Sequence, residues 1–153
     1  MQNHFEILKV TRENVIKLID QFTTDQLNEI PAGFNNNLIW NAGHILVTQQ
    51  LLCYRLSNFE CLIEEKHLEL FCKGTKPEGD ISQGDIDYIK EQMRITTDKL
   101  EADFMSGKFA GYNNYPTSYG VTLKTIEEAI IFNNVHEGLH YGYMLALKNK
   151  ITA

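Results

Sequence analysis

The chain is expected to fold as an all-α four-helix bundle. Its prolines cut it into four segments, each segment carries one long helical pattern, and no stretch of useful length alternates apolar with polar residues. Pro31, Pro77 and Pro116 are the three prolines, and because proline breaks helix interiors they mark the connections. At 153 residues the chain is long enough to bury about two-thirds of its extended surface around one core, so a single domain over residues 1–153 is expected.

The first helix is expected over residues 5–22, where Phe5, Leu8, Val15, Leu18, Ile19 and Phe22 recur at steps of three and four. The connection after it holds Thr24-Asp25-Gln26-Leu27, which reads as a short capped turn. The second helix is expected to begin at Asn36 or Asn37 and to end near Asn58. Ser82-x-x-Asp85, an acidic relative of the capping box, announces the third, whose apolar positions Ile86, Ile89, Met93, Leu100 and Phe104 continue to Lys108. The fourth is expected from Thr122 to Asn149, with Glu127 and Glu128 in its early turns. About 23 residues join the second and third helices, against about a dozen in the other links, so a crossover fits there. Within that link, residues 64–71 suit a short extra helix with a solvated charged face.

Net charge is −6 and the isoelectric point is near 5.3. No basic cluster is present to bind phosphates, so nucleic acid is disfavoured as a partner. Residues 32–54 lack Asp, Glu, Lys and Arg but carry four Asn, two Gln, a His and a Thr, too polar for a membrane span. Cys53, Cys61 and Cys72 have no C-x-x-C spacing and read as free thiols, and the first residues do not read as a secretory leader. A cytoplasmic protein is expected.

The fourth helix carries His136-Glu137-Gly138-Leu139-His140. Residues four apart lie about 40° apart around a helix and one turn along it, so both imidazoles face the same way and suit one metal ion. Reading back from His140 gives His136 or Glu137, then Asn133, Ile130 and Ile126; reading forward gives Met144 and Leu147. Polar groups thus occupy the middle of an apolar stripe. The second helix repeats the layout, with Asn41, His44 and Thr48 one turn apart between Asn37 and Leu51. Buried polar groups need partners, and a shared cation would satisfy all three imidazoles at once. Three core histidines bonded to their neighbours are the competing reading.

His136-Glu137-x-x-His140 also matches the zinc-peptidase motif. The 13 residues after His140 offer no further His, Asp or Glu, and no strand is present to line a peptide, so a peptidase is not expected. Cys53 lies nine residues after His44, about 180° around the same helix, and cannot share its metal. Cys61 and Cys72 read as small apolar fillers. His67 is expected at the surface and His4 in the first turn; Trp40, Tyr112, Tyr115 and Tyr119 are expected to pack. The uncharged loop over residues 109–121 is a candidate cover for a pocket mouth.

The run Leu27-Asn28-x-x-Pro31-x-Gly33-x-Asn35-Asn36-Asn37-x-x-Trp40-x-x-Gly43-His44 resembles the first signature of the DinB-like superfamily of metalloenzymes. His136-x-x-x-His140-x-Gly142 resembles the second. The resemblance implies a bundle running up-down-down-up, often dimeric, in which His44, His136 and His140 bind a divalent ion such as zinc or nickel. It also implies kinship with metal-dependent S-transferases that use low-molecular-weight thiols. Tyr143 stands where Gln is common after the glycine and is a candidate pocket residue.

Three neutral imidazoles would leave the ion its full charge and an open coordination position, the mark of a catalytic rather than a structural site. Water or a thiol at such a position becomes a nucleophile at neutral pH. Glu137, about 100° around the helix from His136, is a candidate general base or orienting group. Asn41 and Thr48 are candidate orienting groups. With what the resemblance implies, the expected function is a metal-dependent thiol S-transferase or hydrolase acting on a small molecule, and the resemblance alone implies a homodimer. A metal-binding or regulatory bundle without turnover is one alternative, and a metal-free interaction bundle is another.

Overall fold

A computed structural model describes residues 1–151 of the chain, which are predominantly helical. Four long helices carry the structure: α1 (Gln2–Ile19), α3 (Leu38–Cys53), α5 (Gln83–Met105) and α6 (Ile126–Ile151). Two short ones, α2 (Thr24–Asn28) and α4 (Glu65–Phe71), lie in the connections. Residues 115–116 and 122–123 form a two-residue antiparallel ladder, β1 and β2, in the loop before α6. α1 packs on α5 and α6, and α3 on α5 and α6, with a lesser contact between α1 and α3 and with α4 laid against α3. No helix among the described residues is long and apolar enough to cross a membrane.

Local chemistry explains where the helices begin. Thr23 and Gln26 form a reciprocal capping box at α2, satisfying two backbone donors with two side chains. The Asn37 side chain accepts from the Trp40 amide at 2.8 Å and starts α3. Ser82 accepts from the Asp85 amide at 3.1 Å and starts α5. The fourth long helix begins later than the expected Thr122. Residues 122–123 are taken by the ladder, and Thr125-x-x-Glu128 supplies the cap. Thr125 Oγ1 accepts the Glu128 amide at 3.2 Å, and Glu128 Oε2 accepts the Lys124 amide at 2.6 Å. The second long helix ends earlier than expected, at Cys53; a 3₁₀ turn over Arg55–Ser57 follows, and Asn58 takes the left-handed conformation with φ 63°.

The apolar stripe of α1 includes Phe5, Leu8, Val15, Ile16, Leu18 and Ile19, all buried, and Arg12 lies within it, also buried. α3 is buried almost all round, which is why its sequence shows little amphipathic period. One core cluster joins α1, α3, α4, α5 and the end of α6; a second joins the start of α1, the end of α3 and the start of α6. His67 corrects an expectation. It is buried rather than exposed, its ring 4.3 Å from that of Tyr88 in a stacked pair, with Nε2 3.1 Å from Asp85 Oδ1. The charged residues of α4 are solvated; its histidine is not.

Candidate metal centre

His44 reaches its position through the glycine before it. A Cβ on Gly43 would lie 2.5 Å from the Phe71 ring, so only glycine lets that ring rest on the α3 backbone. This contact brings the end of α4 to His44, whose Nδ1–H donates to the Phe71 carbonyl at 2.7 Å. A carbonyl only accepts, so the bond places the imidazole proton on Nδ1 and leaves Nε2 with a free lone pair. Trp40 stacks on the same ring with centroids 4.8 Å apart.

Asn41 performs the same task for His140. Its Nδ2 donates to Asn36 Oδ1 at 2.9 Å and to the Asn37 carbonyl at 2.8 Å, so its own oxygen faces His140 Nδ1 at 2.8 Å. His140 Nδ1 is therefore the donor, and its Nε2 lone pair is also free. His136 Nε2 lies 3.2 Å from His44 Nε2, and its Nδ1 is buried without a hydrogen-bond partner. Thr48 Oγ1 stands 3.4 Å from His44 Nε2. One ligating atom from each of His44, His136 and His140 lies within 4.8 Å of the other two.

The electrostatics point the same way. Burial lowers the pKa of His44. Burial, then the neighbouring rings of His140 and His44, lowers His136 to about 3. Burial and then His44 lower His140 to about 4. At neutral pH the three rings are uncharged, and no proton shared among them supplies a positive charge. Without a cation, His136 has two poor choices. It can donate Nε2–H to His44 and leave a buried Nδ1 lone pair unmet, or it can turn a second lone pair toward His44 Nε2. A divalent cation shared by the three rings relieves this crowding of lone pairs, and neutral imidazole is the form a metal takes. The residues present fit such an ion.

The stripe that the sequence left open between His136 and Glu137 resolves in the structure. Glu137 lies on the fully buried face of α6 with Ile130, Asn133 and Met144, while both histidines sit half-buried at its edge. Glu137 thus does not face the histidines as a general base would, and is buried against Arg12 instead. Its Oε1 accepts from Arg12 Nη2 at 2.8 Å and from Asn133 Nδ2 at 2.8 Å, and Arg12 Nε spans both carboxylate oxygens at 3.1 and 3.2 Å. Tyr143 packs edge-on against Phe34, with centroids 5.5 Å apart, and is not among the residues that line the cavity over the histidines.

That cavity, about 490 Å³, has the three histidines in its wall together with Thr48. Tyr115, Thr117 and Ser118 also line it, so part of the uncharged loop between α5 and α6 borders this site. Arg55 and Lys73 complete the polar lining and have no counterpart in the sequence reading: Lys73 falls in a connection, and Arg55 lies where the second helix is expected to continue. Arg12 was missed too, although a signal exists: it fills the gap between Leu8 and Val15 in an otherwise apolar stripe. Cys53 is buried away from this cavity, and burial pushes its thiol pKa up.

Two expected outcomes follow from this arrangement. In Gly43→Ala the added methyl displaces the Phe71 ring and loosens the carbonyl that orients His44. Overpacking of this kind costs about 1–3 kcal/mol, and losing an orienting partner weakens metal binding about tenfold or more. Urea unfolding and chelator competition read the two effects separately. In the metal-free protein, His136 and His140 bind protons less readily when folded than when unfolded, where the usual value is about 6.5. Stability therefore falls as pH drops below about 6.5 and goes on falling toward the folded-state values of about 3 and about 4, while above 6.5 these groups contribute no slope. The urea midpoint between pH 6.5 and 4.5, before carboxylates contribute, is expected to fall less steeply in His136→Ala/His140→Ala.

A family model described as the DinB superfamily matches residues 7–144. Among solved structures, the crystal structure of a conserved protein from Enterococcus faecalis is similar over 99% of this chain and 96% of its own, with a TM-score of 0.69 and 13% identity. At that identity the likeness concerns the fold. No curated protein matches the chain.

Proposed function

The chain belongs to the DinB superfamily, and from that premise we propose that it is a metal-dependent enzyme of the thiol S-transferase or hydrolase type. In this reading a four-helix bundle, running up-down-down-up, holds one divalent ion, zinc or nickel, through His44, His136 and His140. The observation that carries it is the convergence of three neutral imidazoles within 4.8 Å, two of them fixed from behind by Phe71 and Asn41. When bound, such an ion supplies dipositive charge that lowers the pKa of a thiol or water beside it.

The chain's own residues divide the remaining work. Asn41 and the Phe71 carbonyl hold two rings with their Nε2 lone pairs free, Thr48 offers a hydroxyl beside His44, and Tyr115, Thr117 and Ser118 of the 109–121 loop form part of the cavity wall. No Asp or Glu lines the cavity, and Glu137 is occupied by Arg12. Hydrolysis ordinarily calls for a positioned base, whereas a thiol deprotonated by the ion does not, so thiol transfer to a small molecule is favoured. The same feature supports the second reading, a metal-binding or regulatory bundle without turnover.

Elemental analysis of protein purified without chelators or nickel resin tests the first half: close to one equivalent of zinc or nickel is expected. Less than a tenth of an equivalent, with no uptake on titration, would leave a metal-free interaction bundle. A conjugation screen with bacillithiol, glutathione and coenzyme A tests the second half; no product with metal-loaded protein favours the non-catalytic reading. The three cysteines are free thiols, which suits a reducing, cytoplasmic setting. We also propose a homodimer, because Ile131, Val135 and Leu139 lie exposed along one uncharged strip of α6. A single monomeric boundary in sedimentation at micromolar concentration would refute it.

A further inference from the structure

The cavity over the three histidines is chemically one-sided. The protein carries 20 acidic residues and a net charge of −6, yet no acidic residue lines this cavity and two cationic ones, Arg55 and Lys73, do. Leu51, Leu52, Leu56 and Phe132 form an apolar wall beside them. Arg55 is 54% exposed, and its carboxylate neighbour Glu65 stands 3.8 Å away, beyond hydrogen-bond length, so its planar fork keeps donors to offer. Lys73 is exposed, on the short stretch after α4 whose Phe71 carbonyl holds His44. Cations beside low-dielectric walls concentrate anions locally, and an apolar lining with a few placed polar groups is the ordinary build of a small-molecule site.

We infer that this cavity takes an amphipathic anion: a small molecule whose apolar body lies on Leu51, Leu52, Leu56 and Phe132 while a negatively charged head meets Arg55 and Lys73. The inference deepens the metal-enzyme reading and rests on it for which end of the molecule reacts. Carboxylate and phosphate heads share the required chemistry. Arg55 and Lys73 act as specificity residues, selecting for a negatively charged head.

Titration calorimetry with octanoate, octyl phosphate, 1-octanol and octylammonium tests this on both metal-free and zinc-loaded protein. Both anions are expected to bind at least about tenfold more tightly than octanol, a difference that added salt narrows, and octylammonium more weakly still. Whichever anion binds tighter identifies the preferred head. Arg55→Gln/Lys73→Gln, both changes being at exposed side chains, is expected to lose that tenfold for the anions, to bind octanol as before, and to keep its zinc affinity. Equal binding of octanol and octanoate overturns the inference. So does unchanged octanoate binding in the double variant, or no octanoate binding to either form. Zinc titration reads the metal separately: anion preference without zinc uptake removes the metal and keeps the anion site, and zinc uptake without anion preference does the reverse.

Discussion

Arg12→Ala is expected to lower the free energy of unfolding by about 3–5 kcal/mol, the usual consequence of removing one partner from a buried ion pair. Arg12 is 1% exposed and Glu137 is fully buried. Beyond its contacts with Glu137, Arg12 Nη1 donates to the Met93 carbonyl at 3.0 Å, to Thr96 Oγ1 at 2.9 Å and to Thr97 Oγ1 at 3.0 Å. One guanidinium therefore ties α1 to both α5 and α6. Truncating it leaves the Glu137 carboxylate with only Asn133 and takes one donor from each of three acceptors on α5, whose threonine hydroxyls still bond the Gln92 and Met93 carbonyls. A domain of this size holds about 5–15 kcal/mol in all, so the variant is expected to lie near its unfolding threshold at 37 °C. Arg12→Met/Glu137→Met removes both charges and keeps volume, and is expected to recover most of the loss. Urea unfolding followed by circular dichroism measures all three variants. A change below about 1 kcal/mol for Arg12→Ala would show that the pair contributes no more than an exposed one.

That ion pair marks where the sequence could be read and where it could not. Periodicity located α1 and α5 because each turns an apolar stripe to the interior, and the caps at Asn37 and Ser82 are local hydrogen bonds written in adjacent residues. The two histidines of α6 were legible because four-residue spacing is a property of one helix. What joins distant segments was harder to see. Nothing near Glu137 in the chain announces Arg12, 125 residues away, so rotation about α6 could not be assigned to His136 or Glu137 until α1 was packed against it. His67 was misplaced for the same reason: its neighbours Glu64, Glu65 and Lys66 are solvated, and its burial depends on Tyr88 and Asp85 of α5. Tyr143 is a pocket candidate only through its place after Gly142 in the family resemblance, and its ring packs on Phe34 instead. The start of α6 failed on a weaker cue, since Thr125-x-x-Glu128 was in plain view and Thr122 was preferred.

If His44, His136 and His140 hold the ion as proposed, replacing any one of them by alanine is expected to weaken zinc binding by at least about a hundredfold, beyond the ten- to hundredfold typical of an orienting partner. A three-ligand site has no spare donor: the cavity offers no carboxylate or thiol to substitute for a lost imidazole. Asn41→Ala should fall in the lesser class, because it frees His140 to rotate without removing it. Thr48→Val should fall lower still, its hydroxyl being 3.4 Å from His44 Nε2 and not a partner of either Nδ1. The order His44→Ala, His136→Ala and His140→Ala, then Asn41→Ala, then Thr48→Val is thus the expected ranking in a competition assay with a chromophoric chelator. His136 gives the sharpest test. His44 and His140 have hydrogen bonds that would orient them in a metal-free core as well, whereas His136 Nδ1 is buried without a partner. A core histidine in that position would be a net burden, so metal-free His136→Ala should unfold at a urea concentration no lower than the parent. If His136→Ala instead loses stability while keeping zinc affinity within threefold, the ring is a packing element and the ligand set is wrong. Unchanged stability with lost affinity leaves His136 only one role, that of a donor to the ion.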